Sequence, residues 1–166
     1  LKHGAAAVCA VDVGHGLLDG ALRNDPRITL LERRNAKHLT AEQLPWVPAL
    51  ITVDVSFIAA RALLPPLTAL SDANTQLLVM VKPQFELPRA RVPIGGVVTD
   101  PKERQNAAAL VAEAAVELGW HEVSRCDSTL AGHAGNRELF LLLDRHAIDD
   151  CNTDDNTNNN AQGSAQ

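Results

Sequence analysis

Apolar positions along the chain fall into short unbroken runs separated by longer stretches of mixed pattern. Ala6 to Val13 (AAVCAVDV), Ile28 to Leu31, Leu50 to Val53 (LITV) and Leu77 to Val81 (LLVMV) are continuous and rich in branched residues. Such runs predict buried strands. Trp120 to Cys126 and Glu138 to Leu143 (ELFLLL) predict two more. Leu17 to Arg23 predicts a short helix. Ser56 to Leu70 predicts a longer one, kinked or restarted at Pro65 and Pro66. The stretch DPKERQNAAALVAEAAVELGW carries full helix punctuation. Asp100 is the N-cap, Pro101 the first helical residue, Glu103 the partner of a capping box, and Gly119 the stop. Val111, Ala115 and Leu118 form its apolar stripe.

Alternation of strands and helices predicts a parallel, doubly wound α/β sheet. The last two strands, joined only by STLAGHAGNR, predict one antiparallel member. Leu1-Lys2-His3-Gly4 reads as the last turn of a helix with its glycine cap, opening straight into a buried strand. This implies further sequence upstream. The first strand of such a sheet is central, and its glycine turn holds the ligand. Here the first GxG, Gly14 and Gly16, follows a strand that ends in an acid, so the central strand is expected to be missing.

The residues from Pro83 to Thr99 form a long loop, a length that is usually functional or disordered. We expect a mobile lid, with Gly95-Gly96 giving backbone freedom and Arg89 and Arg91 meeting phosphate. Residues 148 to 166 are polar and low in complexity, and predict a disordered tail after a domain spanning 1–147.

Charge changes this picture little. The formal net charge is −5, but four of the acids (Asp149, Asp150, Asp154 and Asp155) lie in the tail. The folded part is nearly neutral and does not advertise a nucleic-acid partner. Aromatics make up 3% of residues and tyrosine is absent, which argues against a face of stacked aromatics. Cys9, Cys126 and Cys151 form no CxxC pair, and the six histidines have no HxxxH spacing. A metal site is not expected, and a reduced, cytoplasmic protein is. No apolar run approaches a membrane span, and no signal-peptide pattern is visible.

The candidate chemistry lies at predicted strand ends. In LLVMVKPQFE, Pro83 stops the strand and fixes Lys82 at its carboxyl end. Ligands of open α/β sheets bind at that edge. Asp12 and Asp54 end two other strands, and Glu138 begins one. An acid placed like Asp12 either accepts hydrogen bonds from ribose hydroxyls or is an ordinary loop acid capping the next helix. Asp54, Lys82 and Glu138 converging at one edge would either orient a hydroxyl and stabilise its alkoxide, or form a structural ion pair.

The segments AVDVGHGLLDGALRNDPRI, LERRNAKHLT, VDVSFI, VKPQFE, GGVVTDP, LGW and GNRELFLLL occur in this order. The series resembles the TlyA haemolysin-type rRNA 2′-O-methyltransferases of the wider FtsJ-like group, over about residues 1 to 144. VKPQFE followed by GGVV-DP carries most of the specificity. The resemblance implies a Rossmann-like S-adenosylmethionine-dependent methyltransferase fold. Its sheet is mostly parallel with one antiparallel strand, and the first strand is missing here. It further implies a catalytic set containing Asp54, Lys82 and Glu138. Asp12 would bind the cofactor ribose, Asn35 would lie on the adenine side, and Asp54 would also border the cofactor. The implied partner is ribosomal RNA or a ribosomal subunit.

The chain departs from the family pattern in lacking an S4-type domain, the first catalytic lysine and a GASTGGF-like turn. His15 stands where an aromatic is common, and His133-Ala134 where a proline-containing pair is. These departures imply a C-terminal portion of an enzyme that binds S-adenosylmethionine weakly by itself. A second reading is a catalytically inactive RNA- or protein-binding remnant. A third, a nicotinamide-dependent dehydrogenase, would need a GxGxxG that the chain does not offer.

Overall fold

A computed structural model describes residues 1–132 and 135–146. The expected disordered tail (148–166) and the pair His133-Ala134 lie outside the described residues. The strands are β1 (Val8–Asp12), β2 (Ile28–Glu32), β3 (Leu50–Val53), β4 (Gln76–Val81), β5 (His121–Ala131) and β6 (Arg137–Asp144). The helices are α1 (Gly20–Arg23), α2 (Leu64–Ala69), α3 (Pro83–Glu86) and α4 (Pro101–Val116).

The strands form two sheets, β1-β2 and β3-β4-β6-β5. β1 runs parallel to β2, pairing Val8 with Ile28 through Asp12 with Glu32. β3 runs parallel to β4, pairing Leu50 with Gln76 through Val53 with Val79. β6 is antiparallel to both of its neighbours, pairing Val81 with Leu139 on one side and Asp127 with Leu139 on the other. The mostly parallel sheet with one antiparallel member is therefore as expected. Among the described residues, β1 pairs only with β2 and β3 only with β4, so the two sheets share no pairing.

Burial of the larger sheet follows its period of two. Leu77, Val79 and Val81 of β4 and Leu139, Leu141 and Leu143 of β6 are fully buried on one face. They pack with Trp120, with Val111 and Ala115 of α4, and with Leu64 and Leu67 of α2. Each such side chain contributes about 1.5–3 kcal/mol before the entropy of ordering is counted. Leu78, Met80, Phe140 and Leu142 point to the other face and are only half-buried. Among the described residues, buried packing covers one face of this sheet. The doubly wound expectation is met on that face alone.

Several expected elements differ in detail. The helix expected from Ser56 begins only as a 3₁₀ turn at Ala60–Leu63, followed by α2. Pro65 and Pro66 occupy the first turn of α2, where a missing N–H leaves no intrahelical bond unmade. They start the helix rather than kink it. The helix expected from Leu17 is confined to α1, with Asp19 accepting from the Ala21 N–H at 2.8 Å. Asp100 caps α4 by accepting from the Lys102 N–H at 2.8 Å, and Gly119 takes φ +79° beyond its end. Glu103 does not close a capping box; its carboxylate pairs with Arg91 at 2.8 Å.

The expected lid is the largest correction. Residues 83–99 open with α3 and a 3₁₀ turn at Arg89–Arg91. Glu86, Leu87 and Val98 are buried. The Asn136 side chain clamps the far end, accepting from the Val98 N–H at 2.8 Å and donating to the Gly96 carbonyl at 2.9 Å. Pro88 to Arg91 and the tip stay exposed, the tip carrying a fully exposed Ile94 beside Gly95 and Gly96, both at positive φ.

Candidate active site

The parallel register of β3 and β4 brings their carboxyl ends to one edge, and the site is built there. Pro83 is the first residue of α3, so β4 cannot continue, and Lys82 sits at the junction. The Lys82 side chain is 14% exposed, and its Nζ lies 2.7 Å from Asp54 Oδ1. It also donates to Ser56 Oγ at 3.0 Å. Asp54 is open to solvent, with its side chain 64% exposed. The stem of Lys82 is thus covered while its ammonium is held at the rim by two oxygens.

Glu138 reaches the same edge by another route. The antiparallel register that pairs Val81 with Leu139 sets Lys82 opposite Glu138. The carboxylate of Glu138 instead lies over Gly132, where an added Cβ would come within 2.9 Å of Glu138 Oε1. The structure therefore pairs Lys82 with Asp54 directly and places Glu138 on the facing strand without an ion pair to the lysine.

Ser56 and Phe57 were not singled out from the sequence. Ser56 follows Asp54 by two positions in VDVSF, a spacing that puts both on one side of an extended segment. That spacing was the available signal. Phe57 has φ +65°, a region that bulky residues rarely enter, and it is 92% exposed. Its ring meets that of Phe85 with centroids 5.5 Å apart and planes at 48°. An exposed aromatic face in a chain with so few aromatics therefore stands beside the lysine.

Of the three residues expected at the cofactor, Asp12 and Asn35 lie on the β1-β2 unit, while Asp54 lies at the end of β3 beside Lys82. Asp12 is exposed, and its Oδ1 accepts from the Gly14 N–H at 2.6 Å. One oxygen thus caps its own turn and the other stays open. Asn35 caps the 3₁₀ turn Ala36–His38, accepting from the Lys37 N–H at 3.0 Å. It lines a cavity of about 290 Å³ with Arg33, Arg34 and His38. The Arg34 N–H donates to the Asp12 carbonyl at 3.0 Å, so Asp12 and Asn35 belong to neighbouring turns.

Glu32 holds this end together. It accepts from Arg23 at 2.5 and 3.2 Å and from the Gly16 N–H at 2.6 Å, and it lies 2.7 Å from His15 Nδ1. The Arg23 hydrogen bonds, ahead of those from Gly16 and His15, draw its carboxyl down to about 2. The N–H groups of Gly14 and Gly16 both serve carboxylates. This GxG is thus not presenting free amides to a pyrophosphate, which counts against the dehydrogenase reading. Asp12 and Asn35 retain polar atoms that fit a ribose hydroxyl and a purine edge. The described residues supply no comparable cradle for the amino-acid end of S-adenosylmethionine.

Arg89 and Arg91 are exposed. Arg91 is occupied by Glu103, while Arg89 has no ion pair among the described residues.

Residues 1–145 match the FtsJ-like methyltransferase family, and the chain belongs to it. It is 46% identical over 143 residues to the 16S/23S rRNA (cytidine-2′-O)-methyltransferase TlyA of Mycobacterium tuberculosis, covering 86% of this chain and 53% of that protein. It is 36% identical over 141 residues to Hemolysin A of Brachyspira hyodysenteriae, covering 84% of this chain and 59% of that one. A crystal structure from Lactococcus lactis, described as a candidate hemolysin, aligns with a TM-score of 0.82 at 33% identity, covering 87% of this chain and 70% of that chain. The chain spans about half the length of the curated relatives it matches. Among the described residues, no helix is long and apolar enough to cross a membrane.

Proposed function

We propose that the protein carrying this chain transfers a methyl group from S-adenosylmethionine to a ribose 2′-hydroxyl of ribosomal RNA. The observation that carries this reading is the Lys82 ammonium, held 2.7 Å from Asp54 and 3.0 Å from Ser56 at the carboxyl edge of the sheet. The relative described as an rRNA (cytidine-2′-O)-methyltransferase supports the reaction and substrate class.

When bound, S-adenosylmethionine supplies an electrophilic methyl. The chain's own residues prepare the acceptor. A ribose hydroxyl is a weak nucleophile until its proton is drawn off, and the open Asp54 carboxylate beside Lys82 is the base that takes it. Lys82, fixed before the substrate arrives, stabilises the developing oxyanion with little reorganisation. Asp54 and Ser56 aim the ammonium, and Glu138 bounds the site from the facing strand. Asp12 and Asn35 take the cofactor's ribose and adenine. The exposed ring of Phe57 offers a face on which an unstacked base can rest. Arg89 meets the RNA backbone.

One observation favours the second reading, an inactive RNA- or protein-binding remnant. β1 and β3 make no pair, so Asp12 and Lys82 lie on separate sheets. The experiment that separates the two is methyl transfer from labelled cofactor to ribosomal RNA by the native protein. Turnover that depends on Lys82 supports the enzyme, and RNA binding without turnover supports the remnant.

A further inference from the structure

Segments 82–86 and 54–61 meet at three successive levels. At the first, Lys82 pairs with Asp54 and Ser56. At the second, Phe85 lies against Phe57. At the third, Glu86 Oε1 accepts a hydrogen bond from the Ala60 backbone N–H, with Arg61 Nη1 3.8 Å from Oε2. The first two levels are at the surface. The third is not: Glu86 is 1% exposed.

A carboxylate at that depth is costly. Burial pushes Glu86 above the ordinary carboxylate range, and the Ala60 N–H and Arg61 only partly offset this. Its Oε2 has no hydrogen-bond partner. An apolar side chain of similar volume would pack there at lower cost. Its one hydrogen bond, however, falls at a decisive place. Ala60 opens the 3₁₀ turn Ala60–Leu63, and the cap residue Ala59 offers that turn no side-chain acceptor. Glu86 supplies the missing cap from the other segment. The stretch between β3 and Ala60 carries Asp54, Ser56 and Phe57, and Phe57 holds a backbone angle that persists only when its surroundings impose it.

We propose that Glu86 is a positioning residue for the Lys82–Asp54 pair. It anchors the far end of the 54–59 segment to the turn that bears Lys82, and so sets Asp54 and Ser56 against the ammonium. Its acceptor oxygen does this, not its charge. The role in turnover rests on the methyl-transfer reading above, whereas the role in geometry does not.

The test compares Glu86→Ala with Glu86→Gln in the native protein. Three quantities are read: methyl-transfer kinetics, hydrogen exchange at the Ala60 amide, and the NMR-detected contact between the Lys82 ammonium and the Asp54 carboxylate. Glu86→Gln keeps the acceptor and should retain kcat, Ala60 protection and the contact. Glu86→Ala should expose Ala60 to exchange, weaken the contact and lower kcat by about tenfold to a hundredfold, with both KM values unchanged. Unchanged kcat in a folded Glu86→Ala protein overturns the proposal, as does a loss of kcat with the Lys82–Asp54 contact intact. If Glu86→Ala does not fold, Glu86→Gln decides: full turnover supports the proposal and lost turnover overturns it. If the wild type transfers no methyl group, the methyl-transfer reading fails. The exchange and NMR measurements then still judge the positioning, which requires the contact to weaken in Glu86→Ala and persist in Glu86→Gln.

Discussion

Lys82 and Asp54 come from the ends of adjacent parallel strands and meet with 2.7 Å between Nζ and Oδ1. The lysine is largely covered and the aspartate largely open. Such a pair differs from an ordinary surface salt bridge, in which two flexible side chains gain little. Here the strand end and Pro83 fix one partner, and the second acceptor, Ser56, narrows its range further. The ammonium is preorganised, and its partners leave room on the solvent side for a hydroxyl.

Cofactor binding by these 166 residues alone is expected to be weak. In the proposed reading Asp12 and Asn35 meet only the adenosine part of the cofactor, and the Gly14 and Gly16 amides are taken by carboxylates. β1 and β3 also present unpaired edges. Calorimetric titration of S-adenosylmethionine into this chain should show no tight binding. A tight, saturable isotherm would contradict the interrupted site.

The two arginines of the 83–99 segment should behave differently. Arg89→Ala in the native protein should weaken RNA binding and reduce its salt slope by about one. Arg91 is held by Glu103, so Arg91→Ala should change RNA affinity less and loosen the join to α4 more. RNA titrations across a salt series check this. Unchanged affinity and slope in Arg89→Ala would remove the segment's role in RNA binding.

Acid should loosen the β1-β2 end before the larger sheet. Glu32 titrates at about 2, chiefly through its Arg23 hydrogen bonds. A carboxyl depressed in the folded state contributes stability that is fully present above its ordinary value of about 4.5 and is lost as pH falls towards 2. The protection factor of the Gly16 amide, its rate relative to the intrinsic exchange rate at each pH, should therefore fall across that window. Glu32→Ala, which removes the acceptor altogether, should already leave the Gly16 amide poorly protected at neutral pH and show no such step.

Asn136 should be a stability residue. Removing its side chain strands the buried Val98 N–H and releases the Gly96 carbonyl. Asn136→Ala should cost about 1–3 kcal/mol in denaturant unfolding, read as a lower midpoint at unchanged slope. A midpoint equal to wild type would mean that water replaces the clamp at no cost.

What could be read from the sequence was local. Lys82 and Asp54 were legible because a run of branched residues, its end and the proline behind it are neighbours in the chain. The antiparallel closing strand was legible because only a loop joins it to its partner. Glu86 was not, since a glutamate after an aromatic reads as solvated, and its partner Ala60 is 26 positions away. The same holds for Asn136, whose bonds span 38 and 40 positions. Those two contacts turn a presumed lid into a pinned segment. Pro65 and Pro66 were ambiguous for a different reason, because the same residues break a helix interior and start a first turn. The direction of the Glu138 carboxylate depended on the bare backbone at Gly132, which no pattern in the strand reveals.

The central claim is that Lys82 acts on the hydroxyl as its proton leaves, and methyl transfer by Lys82→Ala tests it most directly. Labelled S-adenosylmethionine, ribosomal RNA and the native protein are incubated, and cofactor affinity is measured alongside turnover. The account predicts a loss of about 10²–10³ in kcat, the scale for removing one preorganised stabiliser, with cofactor affinity retained. Lys82→Arg should also fail, because a planar fork does not place its charge where an ammonium does. Near-normal turnover in Lys82→Ala would contradict the account and reduce the Lys82–Asp54 pair to a structural tie at the edge of the sheet.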